Sequence, residues 1–347
     1  MIDKSVYTLS HIQTLQETYH SDPALIERVL YAFGLLEAIT ASGMPFCFKG
    51  GTSLMLILDQ PARLSTDIDI LVPPGIDINN CIDKAAVLFP FLGRQEIIRR
   101  GKSGIVKRHF KFTYLSPLRH KEFNILLDAV FADKPYAKTT HKEIKTDFLK
   151  TTGKNLFVEV PTPECILGDK LTAFAPHTTG VLFGSGKELE IAKQLFDSAL
   201  LFDHIEDYPL LLNTYDNAVQ EESAFRGNQW SKSDVLLDTI QACLTIISKG
   251  RINTADYAEY LRGIKSLKNH ILLPGHNTDS AVWDACKVMY LASCILSNSS
   301  LRRLDPKSYL SERLEGQEYR KLAYVRKQNP DAYAHLVEAT RNLKQFS

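Results

Sequence analysis

Residues 46–72 read FCFKGGTSLMLILDQPARLSTDIDILV, from Phe46 to Val72, and this stretch decides the fold. Phe46, Cys47 and Phe48 make a short apolar run that predicts a buried strand. Gly50 and Gly51 break it, and 52–58 reads as a helix whose N-terminus abuts the glycines. Further on, 66–72 alternates acidic and apolar residues with period two, the pattern of a strand with one apolar face, and Pro73, Pro74 and Gly75 end it. Strand, glycine turn, helix and strand in that order predict an α+β fold in which helices flank a mixed sheet.

Working outward, Asp22 and Pro23 fit the N-cap and first position of a helix, with Ile26, Val29, Leu30, Phe33 and Leu36 at helical spacing and an end near Ser42 and Gly43. Two more strands are expected at 109–115 and 122–131, joined by a polar turn through Ser116, Pro117 and Arg119. From Pro163 onward helical patterns dominate, at 164–175, 188–202, 235–248, 255–266, 281–296 and 317–325. The chain of 347 residues is long enough for two domains. They are expected at 1–160, the sheet-bearing core, and 161–347, a C-terminal helical domain. Flexible segments are expected at 178–186, rich in glycine and threonine, and around 221–233.

A hydrophobic share of 44% and a charged share of 23% are those of a folded globular protein. The net charge of +1 gives no global pull toward nucleic acid or membrane. The six cysteines lie in apolar surroundings without a CxxC pair, which points to reduced core thiols rather than a zinc site. Residues 1–8 are polar and charged, unlike a secretory signal, and no run approaches the roughly 18 apolar residues of a membrane span. A cytoplasmic protein is expected.

Asp67 and Asp69 stand two apart on the expected strand, so both carboxylates project from one face, about 6 to 7 Å apart along the backbone. Two such acids in an apolar strand repel unless a cation lies between them, and oxygen-only ligation favours Mg²⁺ or Mn²⁺ over zinc. The bland alternative is a solvated pair, or one neutralised by Arg63. The Gly50-Gly51 turn before a helix offers backbone N–H groups to phosphate, helped by the hydroxyls of Thr52 and Ser53. Asp128, in an otherwise apolar run, is costly to bury without a partner. It is either a strand-end acid accepting backbone hydrogen bonds or a third carboxylate that binds metal and takes a proton from an attacking hydroxyl. Phe110, Phe112 and Tyr114 alternate as a core face, while Arg94, Arg99, Arg100, Lys102, Lys107, Arg108, Lys111 and Arg119 form a basic stretch that would track RNA or lie as a solvated face. The ten histidines show no ligand spacing.

The run Lys49-Gly50-Gly51-Thr52-Ser53-Leu54, followed by Arg63-Leu64-Ser65-Thr66-Asp67-Ile68-Asp69, resembles the first motif of the AbiEii/AbiGii family of nucleotidyltransferase toxins, within the DNA polymerase β-like nucleotidyltransferase superfamily. Gly168-Asp169-Lys170-Leu171-Thr172-Ala173 is similar to the family's lysine motif. The resemblance implies that Lys170 contacts nucleotide phosphates; on pattern alone it also reads as a snorkelling lysine. Asp197 resembles the acid of the last motif, with Gln194 where a first aspartate is usual; the bland reading is a surface pair with Lys193. Ser65 falls where some relatives carry a regulatory serine, and a loop-orienting hydroxyl is the plainer role.

What the resemblance implies is transfer of a nucleoside monophosphate from an NTP to an acceptor hydroxyl, the tRNA 3′ end in some relatives. Asp67, Asp69 and Asp128 would hold the metal, Gly50, Gly51, Thr52, Ser53 and Ser65 would seat the nucleotide, and Lys170 and Asp197 would act from the helical half. A cognate antitoxin is the implied partner. A small-molecule or protein acceptor, or a nucleotide-binding pseudoenzyme, are the alternatives.

Overall fold

The computed structural model describes residues 1–98, 107–132 and 136–346. The chain divides into two units, one of Met1–Thr162 with Asn269–Pro274, the other of Pro163–Lys268 with Gly275–Ser347.

Among the described residues, the first unit carries strands Cys47–Lys49 (β1), Ile68–Val72 (β2), Phe91–Ile97 (β3), Lys107–Leu115 (β4), Glu122–Phe131 (β5), Thr139–Glu143 (β6) and Phe157–Pro161 (β7). They form one mixed sheet in the order β3-β4-β5-β2-β1-β7-β6. β2 runs parallel to β5 and β1 parallel to β7, while the remaining neighbours are antiparallel. One face, carrying Phe48, Ile68, Ile70, Phe110, Phe112, Tyr114, Ile125 and Leu127, is fully buried. Of the helices Leu9–Tyr19 (α1), Pro23–Ala41 (α2), Gly50–Ile57 (α3) and Ile78–Ala86 (α4), α2 and α4 pack on this side of the sheet. The other face is half-open along β2, β5 and β4, where Asp69, Asp128, His109 and Lys111 are partly exposed.

The start of α2 is fixed as expected: the Asp22 carboxylate accepts the Ala24 N–H at 2.7 Å, with Pro23 at the first helical position. Glu27 on the same helix is 3% exposed. It accepts hydrogen bonds from Tyr114 Oη at 3.0 Å, Ser116 Oγ at 2.8 Å and Leu118 N at 3.3 Å, which ties the helix to the β4–β5 turn.

β2 begins at Ile68, two residues later than the alternation suggests. Lys49↔Asp69 is the last antiparallel pair before the chain turns at Gly50, and the Asp67 carbonyl is taken by the Thr52 hydroxyl at 2.6 Å. Residues 62–64, which lead into β2, are braced by the returning segment Asn269–Pro274. Leu64 N donates to His270 O at 2.7 Å, Leu272 N donates to Ala62 O at 2.9 Å, and Arg63 bridges Ile271.

The second unit is helical: Pro163–Ala173 (α5), Glu188–Phe202 (α6), Tyr208–Phe225 (α7), Lys232–Ile247 (α8), Thr254–Leu267 (α9), Thr278–Leu296 (α10), Val325–Gln328 (α11) and Pro330–Phe346 (α12). α10 is buried on nearly every side from Ala281 to Leu296 and packs against α6, α8, α9 and α12, the signature of a central helix. The stretch around 221–233 is not a flexible linker. It holds the end of α7 and the start of α8, which is fixed by a capping box between Ser231 and Asp234. Residues 317–325 do not form one helix; a 3₁₀ turn at Arg320–Tyr324 precedes α11. Among the described residues, no helix is long and apolar enough to cross a membrane.

Candidate active site

β2 and β5 set the acidic centre. Their parallel register places Asp69 opposite Asp128, and side chains in register on neighbouring strands leave the sheet on the same face, with strands about 4.8 Å apart. Asp67 lies just before β2, with half of its side chain exposed, and its Oδ1 is 3.8 Å from the Arg28 guanidinium of α2. At that distance and exposure the pair holds Asp67 weakly. Asp128 accepts a hydrogen bond from His109 Nδ1 at 2.7 Å, the two side chains being 35% and 15% exposed. His109 was not singled out by its spacing in the sequence. It faces Asp128 because the β4–β5 hairpin registers His109↔Asp128.

The glycine turn leans on these acids. Gly50 has φ +79°, a conformation that side chains resist, and a Cβ there would run into the Asp69 carboxylate. A Cβ on Gly51 would run into the guanidinium of Arg63, which is 4% exposed, and would come within 3.0 Å of Ser65 Oγ. Glycine at 51 therefore has a packing reason in addition to any phosphate it admits. Helix Gly50–Ile57 (α3) starts at this turn. Its two hydroxyls are directed elsewhere than the sequence suggests. Thr52 and Ser53 are fully buried, and both spend their hydrogens on backbone, Thr52 on Asp67 O and Ser53 on Gly50 O at 2.8 Å. What the start of a helix offers an anion, with these hydroxyls engaged, is backbone N–H.

In the second unit, Lys170 on α5 and Asp197 on α6 meet at 2.7 Å, with side chains 8% and 0% exposed. Lys170 Nζ also donates to Gln194 Oε1 at 3.3 Å. So the residue that departs from the family motif still joins the lysine. Neither bland reading survives: Lys170 does not snorkel to solvent, and Lys193 pairs with Glu190 at 2.9 Å rather than with Asp197.

The donors around Asp69 are carboxylate oxygens, which suit Mg²⁺ or Mn²⁺ in kind. Among the described residues, no three His, Cys, Asp or Glu side chains are yet gathered closely enough to cage an ion. Of the basic stretch, Arg94 pairs with Asp83 at 2.8 Å, and Arg108 pairs with Glu96 at 2.6 Å and holds that carboxyl below its usual range. Arg99, Arg100 and Lys102 lie outside the described residues.

No match is found among curated proteins. Among solved structures, the chain is similar to JHP933 from Helicobacter pylori, at 17% identity over 78% of this chain and 92% of that one, with a TM-score of 0.42. A candidate nucleotidyltransferase from H. pylori matches at 15% identity over 79% and 99%, with a TM-score of 0.44. An antigenic nucleotidyltransferase-like protein from Paracoccidioides brasiliensis matches at 14% over 56% and 91%, with a TM-score of 0.33. The assignment does not lean on these distant likenesses. A family model described as nucleotidyl transferase AbiEii toxin, type IV TA system, matches residues 35–285, well over half of the chain, and this chain therefore belongs to the AbiEii family of nucleotidyltransferase toxins.

Proposed function

We propose that the enzyme transfers a nucleoside monophosphate from an NTP to a hydroxyl at an RNA end, with Asp67, Asp69 and Asp128 as the acidic centre. The observation that carries this reading is the Asp69↔Asp128 register on the half-open face, with Gly50 packed against the Asp69 carboxylate. A bound Mg²⁺ or Mn²⁺ would be held by these carboxylates and would supply charge neutralisation at the phosphates. The chain's own contribution is placement. The N–H groups at the start of α3 seat the triphosphate, Asp69 is fixed by the turn against it, and Asp128 accepts the proton of the attacking hydroxyl as pyrophosphate leaves. The family pattern gives Lys170 the task of meeting nucleotide phosphates. Its support within the second unit is a buried cation held in place by Asp197 and Gln194.

The test is incubation with each labelled NTP, Mg²⁺ and total tRNA. RNA should take up label, and Asp69→Ala should lower the rate by on the order of 1,000-fold, or about 4 kcal/mol of transition-state stabilisation. Label carried by RNA to the same extent in wild type and Asp69→Ala would end this reading, and label on protein or a small molecule would redirect it. The toxin role predicts growth arrest on expression, relieved by Asp69→Ala and by a cognate antitoxin gene.

A further inference from the structure

We propose that His109 is a positioning residue for Asp128, resting on the transferase reading above. The Asp128 carboxylate meets a ring across the sheet. The torsion that turns a carboxylate is broad and nearly two-fold, so an aspartate on a half-open face rotates freely unless an oxygen is held. His109 holds it. The β4–β5 register brings the ring directly opposite, and Nδ1 donates to Oδ1 at 2.7 Å. On its other side His109 is in register with Ile97 of β3, an apolar neighbour that offers the ring no competing acceptor. With Oδ1 engaged, the lone pairs of Oδ2 are left for the reacting hydroxyl or an ion. The contact needs a hydrogen on Nδ1, which the neutral Nδ1–H tautomer and the imidazolium both carry, so the role does not depend on the charge of the ring.

Outer groups that orient a metal- or substrate-facing carboxylate typically contribute roughly 10- to 100-fold in activity. The variants are His109→Leu, which keeps bulk without a donor, and His109→Asn, whose amide places a donor where Nδ1 stands. In NTP-to-RNA transfer, His109→Leu should lose roughly 10- to 100-fold in kcat with the KM for NTP nearly unchanged, and His109→Asn should regain most of it. In an Asp128→Ala background His109→Leu should cost nothing further. A readout independent of turnover is ¹⁵N NMR of the histidine rings, with the His109 signal identified by its loss in His109→Asn. It should report a hydrogen on Nδ1 in wild type and a shift toward Nε2–H in Asp128→Ala.

Wild-type kcat in His109→Leu overturns the proposal. So does a folded His109→Asn as slow as His109→Leu, or a ring tautomer indifferent to Asp128. A wild type that transfers nothing sinks the transferase reading and this one together, whereas a wild type that transfers at the rate of His109→Leu sinks this one alone.

Discussion

Gly50 couples backbone shape to chemistry in one residue. Alanine there carries a left-handed cost of roughly 1–2 kcal/mol, and its Cβ also meets the Asp69 carboxylate. Gly50→Ala is therefore expected to lower transfer by far more than its thermal shift accounts for, and equal losses in the two measurements would refute the coupling. The Lys170–Asp197 pair makes a different residue-scale prediction. Removing one partner of a buried ion pair costs roughly 3–5 kcal/mol, so Lys170→Met should lower the denaturation midpoint strongly. Lys170→Met with Asp197→Leu should recover much of it. A midpoint unchanged by Lys170→Met would mean that the pair seen at 2.7 Å contributes nothing to stability.

At the scale of elements, the β4–β5 hairpin was the most legible part of the chain. Alternation of Phe110, Phe112 and Tyr114 against the polar turn fixed which face is buried, and all three are fully buried. Phe112→Ala should accordingly destabilise by about 3–5 kcal/mol in a denaturant titration. The same turn also contained the His109 contact. Once Leu115 closes against Glu122, walking six residues down each strand brings His109 opposite Asp128. Spacing between histidines along the chain carries no signal of a partner across the sheet. The parallel β2–β5 register, which sets Asp69 against Asp128, has no local signal, because nothing in either strand states which distant strand lies beside it. β3, β6 and β7 are short or mixed in pattern and went unread for a related reason. Their burial alternates weakly, with exposed Leu92 and Phe157 on edges or ends. α7 was hidden by its polar composition, although Asp207 and Pro209 mark its start.

At the scale of the molecule, the stability of the second unit is coupled to pH through a buried histidine. His335 is buried, edge-on to Phe202 at 5.3 Å and tilted against Tyr290 at 5.5 Å. Burial pushes its imidazole below the ordinary histidine value, Lys287 pushes the same way, and Asp331 and Asp203 oppose. The unfolded chain takes up this proton near 6.5, the folded chain only at lower pH. The stabilisation is thus complete above 6.5 and is lost as pH falls through the folded value. Burial pushes the Asp284 carboxyl the other way, up to about 7, so the His335 effect is read as a difference: the melting temperature of wild type relative to His335→Leu should fall between pH 7 and pH 5, and identical slopes would remove His335 from the explanation.

The return of Asn269–Pro274 to the sheet-bearing unit means that no single cut separates the polypeptide into its parts. A fragment ending at Thr162 would strip the fully buried Leu64 amide of its acceptor, the His270 carbonyl, immediately upstream of Asp67. Such a fragment should be aggregation-prone or inactive for reasons unrelated to catalysis. Supplying residues 269–274 by a linker, in effect a circular rewiring of the gene, is the way to isolate the catalytic half with its acidic loop intact.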